Sequence, residues 1–164
     1  MASSAVPWVR LERDPAQYAE VMRRARAFGR LRNAADTYRL LGHAAAKEDQ
    51  EVAWIVLIDT HGYCRGVQEI ARGARDHVGF ELPDATRAAV AGGAKYLILC
   101  HNHPSGSAIP SEDDGALTLA VESASYESGL LLLDHVVLGL DEYYSFREQG
   151  LFRVEKNGRV ARVA

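Results

Sequence analysis

The chain is poor in cysteine, with only Cys64 and Cys100 in 164 residues. Two cysteines do not make the disulfide framework of a secreted domain. No apolar run reaches the ~18 residues of a membrane span. The first residues lack the charged-then-apolar order of an export leader. The expectation is therefore a reduced, cytoplasmic protein that does not cross a membrane. A Gly-x-Ser-x-Gly turn, which would expose a nucleophilic serine, is missing. So is the Pro-Cys-x-x-Cys that completes the zinc site of the nucleobase deaminases. There are no internal repeats and no low-complexity tracts.

Basic charge is scarce where a nucleic-acid site would need it. The formal net charge is −3, unevenly spread. Residues 1–40 hold eight Arg against four acids, or +4, and residues 147–164 hold five basic residues against two acids, or +3. The middle of the chain is left with −10. A DNA-binding domain carries a basic footprint over its site. Nucleic acid is thus a possible but not a favoured partner, and the basic ends read as solvated faces. The apolar fraction of 48% is enough for one domain with a core.

What the chain does carry is His101-Asn102-His103-Pro104-Ser105-Gly106, followed by Ser111 and Asp114. This H-x-H-x7-S-x2-D string follows the apolar run Tyr96 to Cys100, which reads as a buried strand. In an extended segment residues i and i+2 point to the same side, so His101 and His103 can face one ion. Pro104 and Gly106 force a turn. Ser111 begins a helix whose first turn carries Asp114. Two imidazoles and a carboxylate can supply three ligands to Zn2+ and leave a fourth position for water, the layout of a catalytic rather than a structural site. Ser111-x-x-Asp114 also fits a capping box. The two readings compete for the Asp114 carboxylate, which is not expected to serve a cap and an ion equally well.

Helical spacing predicts an amphipathic helix from Asp14 to Leu31, with Tyr18, Val21, Met22, Ala25 and Phe28 on its apolar stripe, and a second helix from Ala35 to Ala46. Val52 to Ile58 and Tyr63 to Ile70 read as paired strands across His61-Gly62. Asp84 to Ala94 is a helix and Lys95 to Cys100 a strand. Ser111 to Glu127 is a helix with Ala116, Leu117, Ala120, Val121 and Ala124 inward. Leu130 to Leu138 and Tyr143 to Phe146 are strands. Strands mixed with helices predict an α/β sandwich with both faces of the sheet covered. Residues 1–34 read as a helical extension, 35–150 as the catalytic domain and 151–164 as a basic tail. Cys100 alternates away from His101, into the core. His135 reads as a packed or hydrogen-bonded histidine able to support a ligand, and His43, His61 and His77 as surface or loop residues.

The string HNHPSG…PSxxD resembles the signature of the JAB/MPN+ (JAMM) metalloproteases, most closely their bacterial RadC-type branch. Leu132 to Gly139 and Tyr144 to Glu148 are similar to that branch too, and the resemblance covers roughly residues 35 to 150. It implies a mixed-sheet α/β/α sandwich like that of the cytidine deaminases. It also implies a zinc metallopeptidase that cuts a peptide or isopeptide bond of a peptide or protein substrate. Zn2+ would be held by His101, His103 and Asp114. Ser111 would stabilise the oxyanion, and Glu51, at the start of an apolar strand, would act on the water. Glu48 and Glu69 are the competing carboxylates. Two departures stand out. Residues 1–34 are too short for the helix-hairpin-helix region common in that branch, and Leu82-Pro83 stands where a His-Pro pair is frequent. A DNA-associated role remains the alternative, and the oligomeric state is open.

Overall fold

The computed structural model describes residues 15–73 and 86–162. The helix start expected at Asp84, the Leu82-Pro83 pair, His77 and the Tyr18 side chain lie outside the described residues. The elements run α1 (Pro15–Phe28), α2 (Ala34–Ala45), β1 (Val52–Ile58) and β2 (Cys64–Arg72). Helix α3 follows, described over 86–91. Then come β3 (Tyr96–Asn102), α4 (Glu112–Glu127), β4 (Leu131–Leu138), β5 (Tyr143–Ser145), β6 (Phe152–Val154) and β7 (Val160–Arg162).

β1 lies second in a five-stranded sheet of order β2-β1-β3-β4-β5. β3 and β4 are parallel and the other neighbours antiparallel. Every residue of β1 is buried. The reason is cover on both faces, which turns an alternating strand into a continuous apolar run. Val52, Trp54, Val56 and Ile58 pack with Ile98, Cys100 and Val136 against α1 and α2. Ala53, Ile55 and Leu57 pack with Leu97, Leu99, Leu117 and Val121 against α3 and α4. The chain is therefore the expected α/β/α sandwich. Helix α1 sets Val21 and Ala25 into the first core, with Met22 and Phe28 beside them. Gly29 ends it at φ 82°, a left-handed turn that suits glycine. Among the described residues no helix is long and apolar enough to cross a membrane. Cys64 and Cys100 are free thiols in the α1/α2 core. Burial pushes Cys64 up to about 12 and raises Cys100 as well, so neither is a ready thiolate.

Helix α4 departs from its expected inward face. Ala116 and Ala120 are exposed, while Leu117 and Val121 are buried with Asp114, Thr118, Glu122 and Ser125. Each of these polar residues has a bonded role. Glu122 takes Arg159 at 2.8 and 3.1 Å, which ties the β6–β7 hairpin to the helix. The 151–164 tail thus includes a folded hairpin. Apolar periodicity misjudges such a helix because paired polar side chains replace part of its stripe.

One irregularity in β4 matters for the site. Leu97 pairs with Leu132, but Ile98 pairs with Asp134, so Leu133 is an extra residue. A bulge of this kind exchanges the two faces of the strand beyond it. His135 then shares a face with His101, and Asp134 turns to the other face. Asp134 accepts hydrogen bonds from the His135 N–H at 2.7 Å, the Arg147 N–H at 3.0 Å and the Ser145 hydroxyl. This fixes the turn into β5. Burial outweighs these donors and pushes the carboxyl up to about 6 from 3.8.

A carboxyl raised in the fold contributes stability that is complete below the unfolded value near 3.8 and is lost as pH rises through about 6. Asp134→Asn is expected to gain stability relative to the parent between those values, levelling above them at no more than about 3 kcal/mol. Urea unfolding at several pH values measures it. A difference between the two proteins that does not change with pH would contradict the assignment.

Candidate metal centre

The centre lies where β3 leaves the sheet. β3 runs on through His101, which pairs with Ala53 of β1 and Val137 of β4. Its ring stands on the α4 side with no exposed surface. His103 comes two residues later, on the same side. The Pro104–Gly106 turn closes by a Gly106 N–H to His103 carbonyl bond of 2.9 Å. Gly106 sits at φ 82°. An added Cβ there would meet Leu140 at 3.3 Å, so the loop is pressed against the β4–β5 turn. Ser105 accepts from the Ser107 N–H at 3.3 Å, a bond within the loop.

Helix α4 supplies Asp114. Ser111 is its N-cap and forms a full capping box. The Ser111 Oγ accepts from the Asp114 N–H at 3.3 Å, and Asp114 Oδ2 accepts from the Ser111 N–H at 2.8 Å. The same carboxylate lies 3.1 Å from His101 Nε2 through Oδ1 and 3.2 Å from His103 Nε2 through Oδ2. The sequence set cap and ligand as rivals for this carboxylate; the structure forms the cap and also places both carboxylate oxygens against the two imidazoles. A carboxylate has about four lone-pair sites on two oxygens. Oδ2 meets the cap, and Oδ1 faces His101.

Glu51, the residue before β1, completes the cluster. The ligand atoms of Glu51, His101, His103 and Asp114 all lie within 4.8 Å of one another. The competing carboxylates lie elsewhere. Glu48 and Glu69 grip Arg72 from two sides, at 2.6 and 2.8 Å. His43 and His61 are exposed, as expected.

Hydrogen bonds fix the protons of the two imidazoles. The Thr118 hydroxyl donates to the Asp114 carbonyl at 2.8 Å, an acceptor only. Thr118 Oγ1 must then accept from His135 Nδ1, 2.6 Å away. That leaves His135 Nε2 to accept from His101 Nδ1 at 2.7 Å, and His101 Nε2 keeps its lone pair. His103 Nδ1 donates to the Ser107 carbonyl at 3.1 Å, so its Nε2 is bare as well. The two bare nitrogens are 3.0 Å apart, with a buried carboxylate against both. With both rings neutral, three electron-pair donors converge at 3.0–3.2 Å, an arrangement that a shared cation would satisfy. Ligands about 2.0–2.2 Å from a tetrahedral ion would stand roughly that far apart. The residues present fit a metal ion. His135, which also stacks on Phe146 with centroids 4.5 Å apart, is the support suggested by its place in the sequence. Thr118 escapes a reading of the sequence. Its one signal there is its place four residues after Asp114, one helical turn on.

Comparison with known proteins places the cluster within a known domain. Residues 31–151 match the RadC-like JAB domain, a span that holds all four cluster residues. The chain is similar to the UPF0758 protein of Carboxydothermus hydrogenoformans, 36% identical over 120 residues, which are 73% of this chain and 53% of that one. It is 34% identical to that of Porphyromonas gingivalis over 115 residues, 70% of this chain and 51% of the relative. It is 37% identical to that of Rhodobacter capsulatus over 108 residues, 66% and 50% of the two chains. The chain thus spans about half the length of these relatives. With a mixed sheet flanked by helices and a ligand cluster inside the matched span, the chain belongs to the family of RadC-like JAB domains.

Proposed function

We propose that the protein is a zinc-dependent hydrolase that cleaves a peptide or isopeptide bond. The observation that carries this reading is the convergence of His101 Nε2, His103 Nε2 and the Asp114 carboxylate, with a further carboxylate, Glu51, in the same cluster. Two nitrogens and one oxygen suit zinc better than magnesium or calcium, which favour all-oxygen shells. Three strong ligands with one position left over describe a catalytic site. When bound, zinc supplies Lewis acidity, bringing the pKa of a water towards ~7 and polarising a carbonyl.

The chain's own residues supply the rest. Glu51 takes a proton from the attacking water at its carboxylate and returns it to the leaving amine. Ser111 Oγ accepts from the helix backbone and retains its own proton for donation. Directed at the oxygen that gains charge, such a donor stabilises the transition state by about 2.7–4 kcal/mol. Ser111 is exposed, as a group that meets substrate must be. His135 and Thr118 orient His101 without touching the reacting atoms. The charge of −10 over residues 41–146 favours a peptide over a phosphate backbone.

Metal analysis should find one zinc per chain in the parent and little in His103→Ala. Full retention in that variant would remove His103 from the ligand set. Thr118→Val keeps the side-chain shape and breaks the proton chain, so zinc affinity should fall about 10–100-fold. An unchanged affinity in a chelator competition would refute that role. Glu51→Gln should keep fold and zinc and lose about 10²–10⁴-fold in hydrolysis. The assay pairs a mixed-sequence peptide library and ε-lysyl isopeptides with single- and double-stranded DNA. Cleavage of DNA alone, abolished by His101→Ala, would overturn the reading in favour of a DNA-processing role.

A further inference from the structure

We propose that Asn102, the residue between the two histidines, is a positioning residue that clamps the backbone on either side of Glu51. The inference rests on the reading of Glu51 as the proton carrier. Backbone pairing between β1 and β3 ends at Ala53 and His101. The next residues of β1's leading end, 50 to 52, would separate from β3 there. The Asn102 side chain takes over the ladder. Its Oδ1 accepts from the Val52 N–H at 2.7 Å, and its Nδ2 donates to the Gln50 carbonyl at 3.1 Å. Those two groups bracket residue 51. From the other side the Gly73 N–H donates to the Glu51 carbonyl at 2.8 Å. Residue 51 is therefore held between β2 and β3 without using its own carboxylate.

Alternation gives the clamp its place. Asn102 points away from the face that His101 and His103 share, so it supports Glu51 from behind and cannot reach an ion between them. It is buried, 2% exposed, with both ends of its amide bonded. Few side chains can do this. The task needs a donor and an acceptor in one plane at fixed spacing, which an amide has and a carboxylate, hydroxyl or alkyl group lacks. A buried short side chain also loses little entropy when it is held. The distance from Glu51 to the histidines is thereby set by the same strand that carries them.

The test uses the full chain loaded with zinc. Asn102→Leu keeps size and removes both bonds. Amide hydrogen exchange at Val52 should quicken at least ~10-fold while Ile55, deep in β1, keeps its protection. Zinc affinity, read by competition with a chromophoric chelator, should stay within ~3-fold of the parent. Turnover of the fastest-cut peptide of the mixed-sequence library should fall about 10–100-fold, as misplacement by about an ångström does. In a Glu51→Gln background the same change should cost nothing further, because the group it positions is already gone. A proportional loss in both backgrounds would mean a general structural effect and would overturn the proposal. So would unchanged Val52 exchange, or loss of zinc. Asn102→Asp keeps the bond to Val52 and removes the donor to Gln50. It serves if the leucine variant does not fold: Val52 should stay protected while turnover falls, and parental turnover would overturn the clamp. If no peptide is cut by the parent, the hydrolase reading fails, while Val52 exchange and zinc binding still decide whether the clamp exists.

Discussion

The Asp114 carboxylate is the point on which the arrangement turns. One oxygen closes the capping box with Ser111, and the other faces His101. The start of α4 and the position of the carboxylate beside the histidines are thus one geometric fact. A helix N-terminus favours negative charge, so an acidic side chain suits this first turn of α4. A ligand on a flexible loop would lose entropy each time an ion bound. Here the helix has already fixed it, because α4 is packed through Leu117 and Val121 on the sheet. Removing the carboxylate would therefore strike the helix start and the candidate ion site together. A drop in metal binding on mutating Asp114 does not by itself separate the two losses.

The histidines are fixed by a different means. His101 lies in the sheet between two strands, and its tautomer is set by His135 and Thr118. That chain of protons exists because β4 carries a bulge at Leu133. Without the extra residue, His135 would face α2 and Asp134 would face the centre. A third carboxylate beside Asp114 and Glu51 would add like charge to an acidic site. The bulge keeps that charge on the far face, where burial raises it and three donors hold it. The irregular step in β4 is thus a condition for the hydrogen bond that orients the imidazole of His101.

Much of this is legible in the residues, and the rest is hidden for definable reasons. His101 and His103 follow from period-two alternation after an apolar strand, and Asp114 from its place in the first turn of a helix. Glu51 stands out by resemblance, and the geometry separates it from Glu48 and Glu69, which are held by Arg72. Spacing does not say which acid an arginine will occupy. Periodicity misplaces the inward face of α4 at Ala116 and Ala120 because Thr118 and Glu122 are buried through bonds to residues far along the chain. A bulge has no periodic signal before the partner strand is known, so the sequence can suggest a supporting role for His135 without fixing which way its ring points. The capping box looks like a rival to the ligand as long as Asp114 is a single letter. That one carboxylate can close the cap and still face both imidazoles shows only when the directions of its two oxygens are known.

The sheet also ties its two faces together above the centre. Tyr38 of α2 places its hydroxyl 3.1 and 3.0 Å from the carbonyls of Gly139 and Leu140. The Leu140 N–H in turn donates to the Gly106 carbonyl at 2.9 Å, in the loop that follows His103. Gly139 is packed so closely that a Cβ would stand 3.0 Å from that same carbonyl. A helix on the face opposite the histidine cluster thus braces the loop that follows His103. The family match begins at residue 31, before α2 and after α1. Helix α1 contributes apolar cover, whereas α2 contributes a hydrogen bond to the turn that shapes the loop. Cover of that kind can be supplied by many sequences, while the bond requires a hydroxyl at one place.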